Sequence, residues 1–204
     1  MSKKFVFSAG TGRCGTTSIK SLLNIQHGTN ITKEVFPLSF DYNEEEFLEY
    51  VELIKNRKGE IIGDSAFYLT PHVPNLIKHF KNVKIIYPFR ECAEQVESNL
   101  YHWKNRNHVT HAYYAEQQGI NLGKTNKFLK CHPKFYCDKA EGLWRRCHLL
   151  HSLAIDYECM YPEHFRIVHY KDFLNDEKKQ FDTLTWMGFK EPVINTNIMK
   201  NVGT

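Results

Sequence analysis

The sequence predicts a three-layer α/β/α fold, with helices covering both faces of a central, mainly parallel sheet. Three observations predict it. Short apolar runs recur as candidate buried strands at residues 5–9, 60–64, 83–89 and 165–169. Stretches of helical period separate them. No repeat or low-complexity run interrupts the alternation, and 204 residues suit a single domain over 1–204.

The first strand breaks into Gly10-Thr-Gly-Arg-Cys-Gly15, and a helical pattern through Ile19, Leu22 and Leu23 resumes at Thr16, so the first helix is expected over about 15–26. His27-Gly-Thr-Asn ends it, and 31–34 is a short extended piece. Residues 44–55 put Phe47, Leu48, Val51 and Ile54 on one helical face, and Arg57-Lys-Gly59 stops that helix. A short helix over 71–80 buries Leu76 and Ile77. Pro88 has no N–H to give a ladder and belongs at the end of its strand.

Residues 93–103 are helical in pattern, whereas 104–139 show no periodicity, and that length marks a functional lid or acceptor-binding insertion. His102, His108, His111, Tyr113 and Tyr114 are its contact candidates. Residues 140–157 set Leu143, Trp144, Cys147, Leu150, Ala154 and Tyr157 at helical spacing. A last helix follows the strand at 165–169 and ends at Met187-Gly188, leaving a polar tail over 189–204.

The strand, glycine-rich turn and helix start at 5–19 have the makings of a phosphate cradle. Amides in the first turn of a helix lack intrahelical partners, the helix dipole adds positive charge there, and glycines let the backbone approach an anion. Gly10 and Gly15 have the spacing of the P-loop NTPase pattern, but Thr16 stands where that pattern has its Lys. The cation is Arg13, inside the loop, and the hydroxyls of Thr16, Thr17 and Ser18 follow the last glycine. In a parallel sheet ligands sit outside the carboxyl ends of the strands, so this loop, Asp64–Ser65 and Arg90 are expected to share one crevice.

The loop resembles the 5′-phosphosulfate loop of sulfotransferases, with Cys14 in place of the usual Ser. Two further stretches extend the resemblance. Arg90 at a strand end, Ser98 eight residues on and Tyr101-His-Trp103 look like the family's 3′-phosphate-binding segment. Arg166-Ile-Val-His-Tyr-Lys-Asp-Phe-Leu-Asn-Asp176 is similar to a late strand and Tyr-Glu-Asp-Leu segment of those enzymes. Gly63-Asp-Ser-Ala-Phe-Tyr68 loosely resembles their Glu-Lys-Ser/Thr-Pro-x-Tyr stretch, without its Lys.

The resemblance implies a P-loop NTPase-like fold, the donor 3′-phosphoadenylyl sulfate, transfer of its sulfuryl group to an acceptor hydroxyl or amine, and release of adenosine 3′,5′-bisphosphate. Gly12, Arg13, Cys14, Gly15, Thr16, Thr17 and Ser18 would hold the 5′ end, and Arg90 and Ser98 the 3′-phosphate. Arg13 is also placed to stabilise the leaving phosphate. Glu34, just past the extended piece, resembles the catalytic Glu of tyrosylprotein sulfotransferases; His72 is the rival base, as cytosolic members use a His. No metal is expected.

Two other functions compete. One is a small-molecule kinase using ATP, against which the missing lysine argues. The other is a non-catalytic nucleotide- or polyanion-binding module using the basic insertion. That insertion carries seven Lys and Arg against Glu116 and Asp138, while the whole chain has a net charge of +4, so its basicity is local. A local basic surface suits an anionic, glycan or small-molecule acceptor better than nucleic acid.

No apolar run is long enough to cross a bilayer, and the first strand begins within a few residues of Met1, so a soluble cytoplasmic protein with no membrane partner is expected. Cys14, Cys92, Cys131, Cys137, Cys147 and Cys159 form no CxxC pair, and Cys131…Cys137 with His148 fits no common zinc site. Reduced, mostly buried thiols are the expectation.

Overall fold

The computed structural model describes residues 3–106, 128, 130–135 and 137–198. Most of the segment 104–139 lies outside them, with His108, His111, Tyr113 and Tyr114, and the side chain of His102 lies outside as well.

Among the described residues, β1 (Lys4–Ala9), β2 (Thr29–Lys33), β3 (Ile61–Ala66), β4 (Val83–Phe89) and β5 (Phe165–His169) form one sheet. Its order is β2-β3-β1-β4-β5, and every neighbouring pair is parallel. The extended piece after the first helix is thus an edge strand, with Thr32 in register with Asp64 and Lys33 with Ser65.

Alternation along the strands makes two cores. Phe5, Phe7 and Ala9 of β1 face a layer with Phe47, Tyr50, Tyr68 and Phe80. Val6 faces the other side, with Ile19, Leu22, Ile86 and Leu184. The helices are α1 (Thr16–Asn24), α2 (Glu44–Lys55), α3 (Val73–His79), α4 (Cys92–Arg106), α5 (Lys139–Met160), α6 (Tyr170–Asn175) and α7 (Glu177–Trp186). Asn43 starts α2 by accepting the Glu46 amide at 3.0 Å, and three glutamates in its first turn complement the dipole. No helix among the described residues is long and apolar enough to cross a membrane.

Two elements differ from expectation. The helix expected over 71–80 is preceded by a 3-10 turn, Phe67–His72, and α3 starts only at Val73. Pro71 and Pro74 explain the division, since a residue without an N–H is tolerated only near a helix start. The last helix is two, because Asp176 adopts an extended backbone and its side chain accepts the Lys179 amide to cap α7.

The topology positions the site. From β1 the chain turns towards the β2–β3 half, and from β4 towards β5. A crevice therefore opens between the carboxyl ends of β1 and β4, the switch point of the sheet.

Gly63 makes this sheet possible: a Cβ there would run into the backbone oxygen of Val6 on the adjacent strand. Backbone cannot yield as a side chain can. Gly63→Ala is expected to cost about 3 kcal/mol or more in denaturant unfolding, the upper range of overpacking.

Candidate active site

The loop between β1 and α1 has an unusual backbone. Gly12 (φ 82), Arg13 (φ 57) and Gly15 (φ 81) all sit in the left-handed region. Glycine accepts this freely; Arg13 does so at a cost, so something must hold it there.

The holding groups are four side chains on four consecutive carbonyls. Thr70 Oγ1 donates to Gly10 at 3.1 Å and Arg146 Nη2 to Thr11 at 2.6 Å. Gln95 Nε2 donates to Gly12 at 2.9 Å and Arg90 Nη1 to Arg13 at 2.7 Å. Four carbonyls of the loop are thus held by side chains of the surrounding fold. Beneath the loop two of its amides are engaged as well. There Thr11 and Gly12 meet the buried Cys14 sulfur, whose thiol burial pushes up, so it remains protonated and packs under the loop. The loop then runs into α1, whose N-cap Gly15 supplies no side-chain cap. First-turn amides of a helix lack intrahelical partners, which is the condition a helix N-terminus offers to an anion.

The structure brings Arg13, Arg90 and Ser98 together. Arg13 Nε lies 3.3 Å from Ser98 Oγ, and Arg90 reaches the Arg13 carbonyl. Arg90 also pairs with Glu94 at 3.3 Å and lies over the Tyr170 ring, 5.2 Å from its centroid. Glu94 is held in turn by Lys171 at 2.8 Å, and that hydrogen bond leads the causes keeping its carboxyl below the ordinary range. The guanidinium is thus fixed at the strand end while remaining partly open to solvent. Thr17 is exposed at the mouth of the loop, whereas Thr16 and Ser18 are buried; the Thr16 carbonyl accepts Ser65 Oγ at 3.0 Å, tying α1 to β3.

Glu34 follows β2 directly and is half-buried, with φ 51. It stands two strands from β1, about 10 Å at sheet spacing. His72 is placed differently. It is buried against the Phe47 and Tyr42 rings, with Nε2 2.9 Å from the Ser39 carbonyl, and burial lowers its pKa. Its described partners belong to α2 and the segment before it, not to the loop.

Sequence reasoning missed Gln95, Arg146 and the cysteine pair. Arg146 is buried beneath the loop, 5.2 Å over the Phe67 ring, and desolvation lowers its pKa to about 10. Among the described residues none of its partners is a carboxylate. A signal was present: a lone Arg at a buried position of a helix whose apolar face is otherwise regular.

The expectation of reduced thiols is corrected at Cys92 and Cys147, which form a disulfide between α4 and α5. The helices pack closely enough to bring two distant cysteines together, which linear spacing could not reveal. Cys14, Cys131, Cys137 and Cys159 are free. Cys92 lies two residues from Arg90 and Cys147 adjoins Arg146, so the bridge ties together the two helices that grip the loop. His151 Nδ1 lies 3.5 Å from Cys92 Sγ, but bonded sulfurs offer no thiolate to a metal.

No family model matches the chain, and no curated protein does. Solved structures do. Mouse sulfotransferase SULT7A1 complexed with PAP superposes with a TM-score of 0.55 at 14% identity, covering 97% of this chain and 62% of that one. The sulfotransferase domain from the curacin biosynthetic pathway covers 99% and 78%, at 11% identity and a TM-score of 0.49. The chain spans less than two thirds of the SULT7A1 length. The fold, an all-parallel sheet flanked by helices, is that of sulfotransferases.

Reduction of Cys92–Cys147 is expected to destabilise the protein. For a separation of 55 residues the chain-entropy model gives about 4 kcal/mol. Denaturant melts of oxidised and reduced protein measure the difference, and a Cys92→Ser variant should melt like the reduced form with or without reductant.

Proposed function

We propose that the chain is a sulfotransferase that moves the sulfuryl group of 3′-phosphoadenylyl sulfate to an acceptor hydroxyl or amine. The observation that carries this reading is the convergence of Arg13, Arg90 and Ser98 on a loop whose carbonyls are pinned by side chains of the fold and whose helix start has no side-chain cap. The likeness in fold to a sulfotransferase solved with PAP supports it. The donor's 5′-phosphosulfate belongs at the loop and the first turn of α1, and its 3′-phosphate at Arg90 and Ser98.

Transfer is in-line. The acceptor oxygen or nitrogen attacks sulfur, the bond from sulfur to the bridging oxygen breaks, and adenosine 3′,5′-bisphosphate leaves. Positioning and charge stabilisation dominate such a reaction, as in phosphoryl transfer. Arg13, the loop cation, stabilises the leaving phosphate. Glu34 takes the acceptor proton: it is half-buried at a strand end, about 10 Å across the sheet from β1, which leaves room for sulfuryl group and acceptor between them. His72, buried and bonded to Ser39, is the poorer base. The acceptor is a hydroxyl or amine compound, with the basic 104–139 segment suited to an anionic one.

Adenosine 3′,5′-bisphosphate is expected to bind and raise the melting temperature, 5′-AMP and ATP with magnesium less so. Arg90→Ala should weaken bisphosphate binding by about 2 kcal/mol in calorimetry, through loss of a charge-assisted contact. Equal affinity for 5′-AMP and the bisphosphate would sink the assignment of the 3′-phosphate.

Glu34→Gln keeps the shape of the side chain and removes its basicity. With labelled donor and a pool of acceptors, turnover should fall by roughly 10²–10⁴-fold while bisphosphate affinity is unchanged. His72→Ala should cost much less. Loss of turnover in His72→Ala alone would reverse the roles.

A further inference from the structure

Asp64 is a buried carboxylate that the mechanism above leaves unused. It lies on β3, between the strand that carries Glu34 and the strand that carries the loop, and it is fully buried. Its Oδ2 lies 3.4 Å from the Val35 amide and 3.3 Å from the Tyr68 hydroxyl. The same hydroxyl lies 3.3 Å from the Phe36 amide. Asp64 and Tyr68 therefore hold the two amides that follow Glu34, the residue whose backbone is in the left-handed region. Among the described residues its buried Oδ1 has no hydrogen bond of good geometry, with the Thr32 and Tyr50 hydroxyls standing beside the carboxyl.

A carboxylate buried for structural reasons is normally matched by a cation. Among the described residues the groups that face it are Thr32 and Glu34 beside β3, Tyr50 from α2 and Tyr68 from the 3-10 turn, none of them cationic. Burial raises the Asp64 carboxyl to about 6, and the charge of Glu34 adds to the rise. In the stretch that this segment resembles, the family has a Lys; this chain has an acid beside an acid.

We infer that Asp64 is a positioning residue for the acceptor base, bracing the Glu34–Phe36 corner and strengthening the hold of Glu34 on the proton it takes. The inference rests on the assignment of Glu34 within the sulfotransferase reading. When the acceptor oxygen or nitrogen bonds to sulfur and its proton passes to Glu34, neutralising that carboxylate relieves its repulsion with Asp64. The charge on Asp64 thus favours protonated Glu34 and makes it the stronger base. The arrangement costs stability. Because the folded carboxyl titrates above its ordinary value, the cost grows as pH rises from about 4 to about 6 and is fully present above that.

The test is an NMR titration of the ¹³C-labelled Asp64 carboxyl in the wild type and in Glu34→Gln, alongside calorimetry with adenosine 3′,5′-bisphosphate. The Asp64 midpoint should lie near 6 and drop by up to about one pH unit when Glu34 loses its charge. Asp64→Asn should be more stable than the wild type at pH 8, an advantage that vanishes towards pH 4. It should bind the bisphosphate within about two-fold of the wild type, yet turn over labelled donor at least about ten-fold more slowly, with the acid limb of its rate profile moved to lower pH. A rescue of turnover by Asp64→Glu would fit a role for the charge. The inference is overturned if the Asp64 midpoint is the same in Glu34→Gln, or if Asp64→Asn keeps wild-type turnover and pH profile. Should Asp64→Asn fail to fold, the Glu34→Gln titration decides by itself. Absence of bisphosphate binding by the wild type would instead defeat the sulfotransferase reading, while the titration still reports whether the two carboxyls are coupled.

Discussion

The candidate site depends on one arrangement: Gly10, Thr11, Gly12 and Arg13 each give up a carbonyl to a side chain from elsewhere in the fold. A loop with three left-handed residues has no intrinsic reason to keep that shape. Hydrogen bonds from Thr70, Arg146, Gln95 and Arg90 supply the reason, and two of these donors are cations whose bonds are the stronger kind. Fixing the carbonyls fixes the peptide planes, and so sets the directions of the amides. Preorganised dipoles of this sort need no rearrangement on binding.

The donors come from four separate places in the chain, which makes the loop a property of the whole fold. Thr70 belongs to the turn after β3, Arg90 and Gln95 to the end of β4 and to α4, and Arg146 to α5. The disulfide joins α4 to α5 beside those groups. On the other flank Gly15 lies close to α6: a Cβ there would come 3.2 Å from Leu174 and 3.5 Å from Tyr170. Tyr170 also carries the Arg90 guanidinium on its ring. The segment after β5 therefore supports the loop and the arginine beside it at once.

The layered architecture was legible because β1, β3, β4 and β5 are apolar runs with clear ends, whereas β2 showed only as a short extended piece over 31–34, because Thr29-Asn-Ile-Thr-Lys33 is an edge strand with one buried residue, Ile31. The loop was legible because glycine spacing and a helix start are local signals. Arg90 and Ser98 were legible from a strand end and two turns of helix, and Arg13 joins them in space. Gln95, Arg146 and the Cys92–Cys147 pair were not, since what they touch is set by helix packing across 52 to 135 residues of chain. His72 shows what a linear reading leaves out: a histidine between two prolines has chemistry available to it, and the fold sets it against the Ser39 carbonyl and the Phe47 ring.

Two buried charges give the crevice a direction. Among the described residues Arg146, beneath the loop, has no carboxylate partner, and Asp64, behind Glu34, has no cation among the groups that face it. Each is expensive to keep in a low-dielectric interior, and they would be cheapest as a pair. The sheet keeps them apart, with Arg13, Arg90 and Arg146 around β1 and β4, and Glu34 and Asp64 on the β2–β3 side. The charge is thus separated across the sheet, and between exposed groups such a field weakens with salt while the buried ones are screened least. On the sulfotransferase reading its two sides answer the two demands of the reaction, since the leaving group gains negative charge where the arginines stand and the acceptor loses a proton where the carboxylates stand. Stability alone would be served as well by a neutralised pair or by apolar groups in the same places; on the sulfotransferase reading the separation of the two charges across the sheet serves the two ends of the transfer.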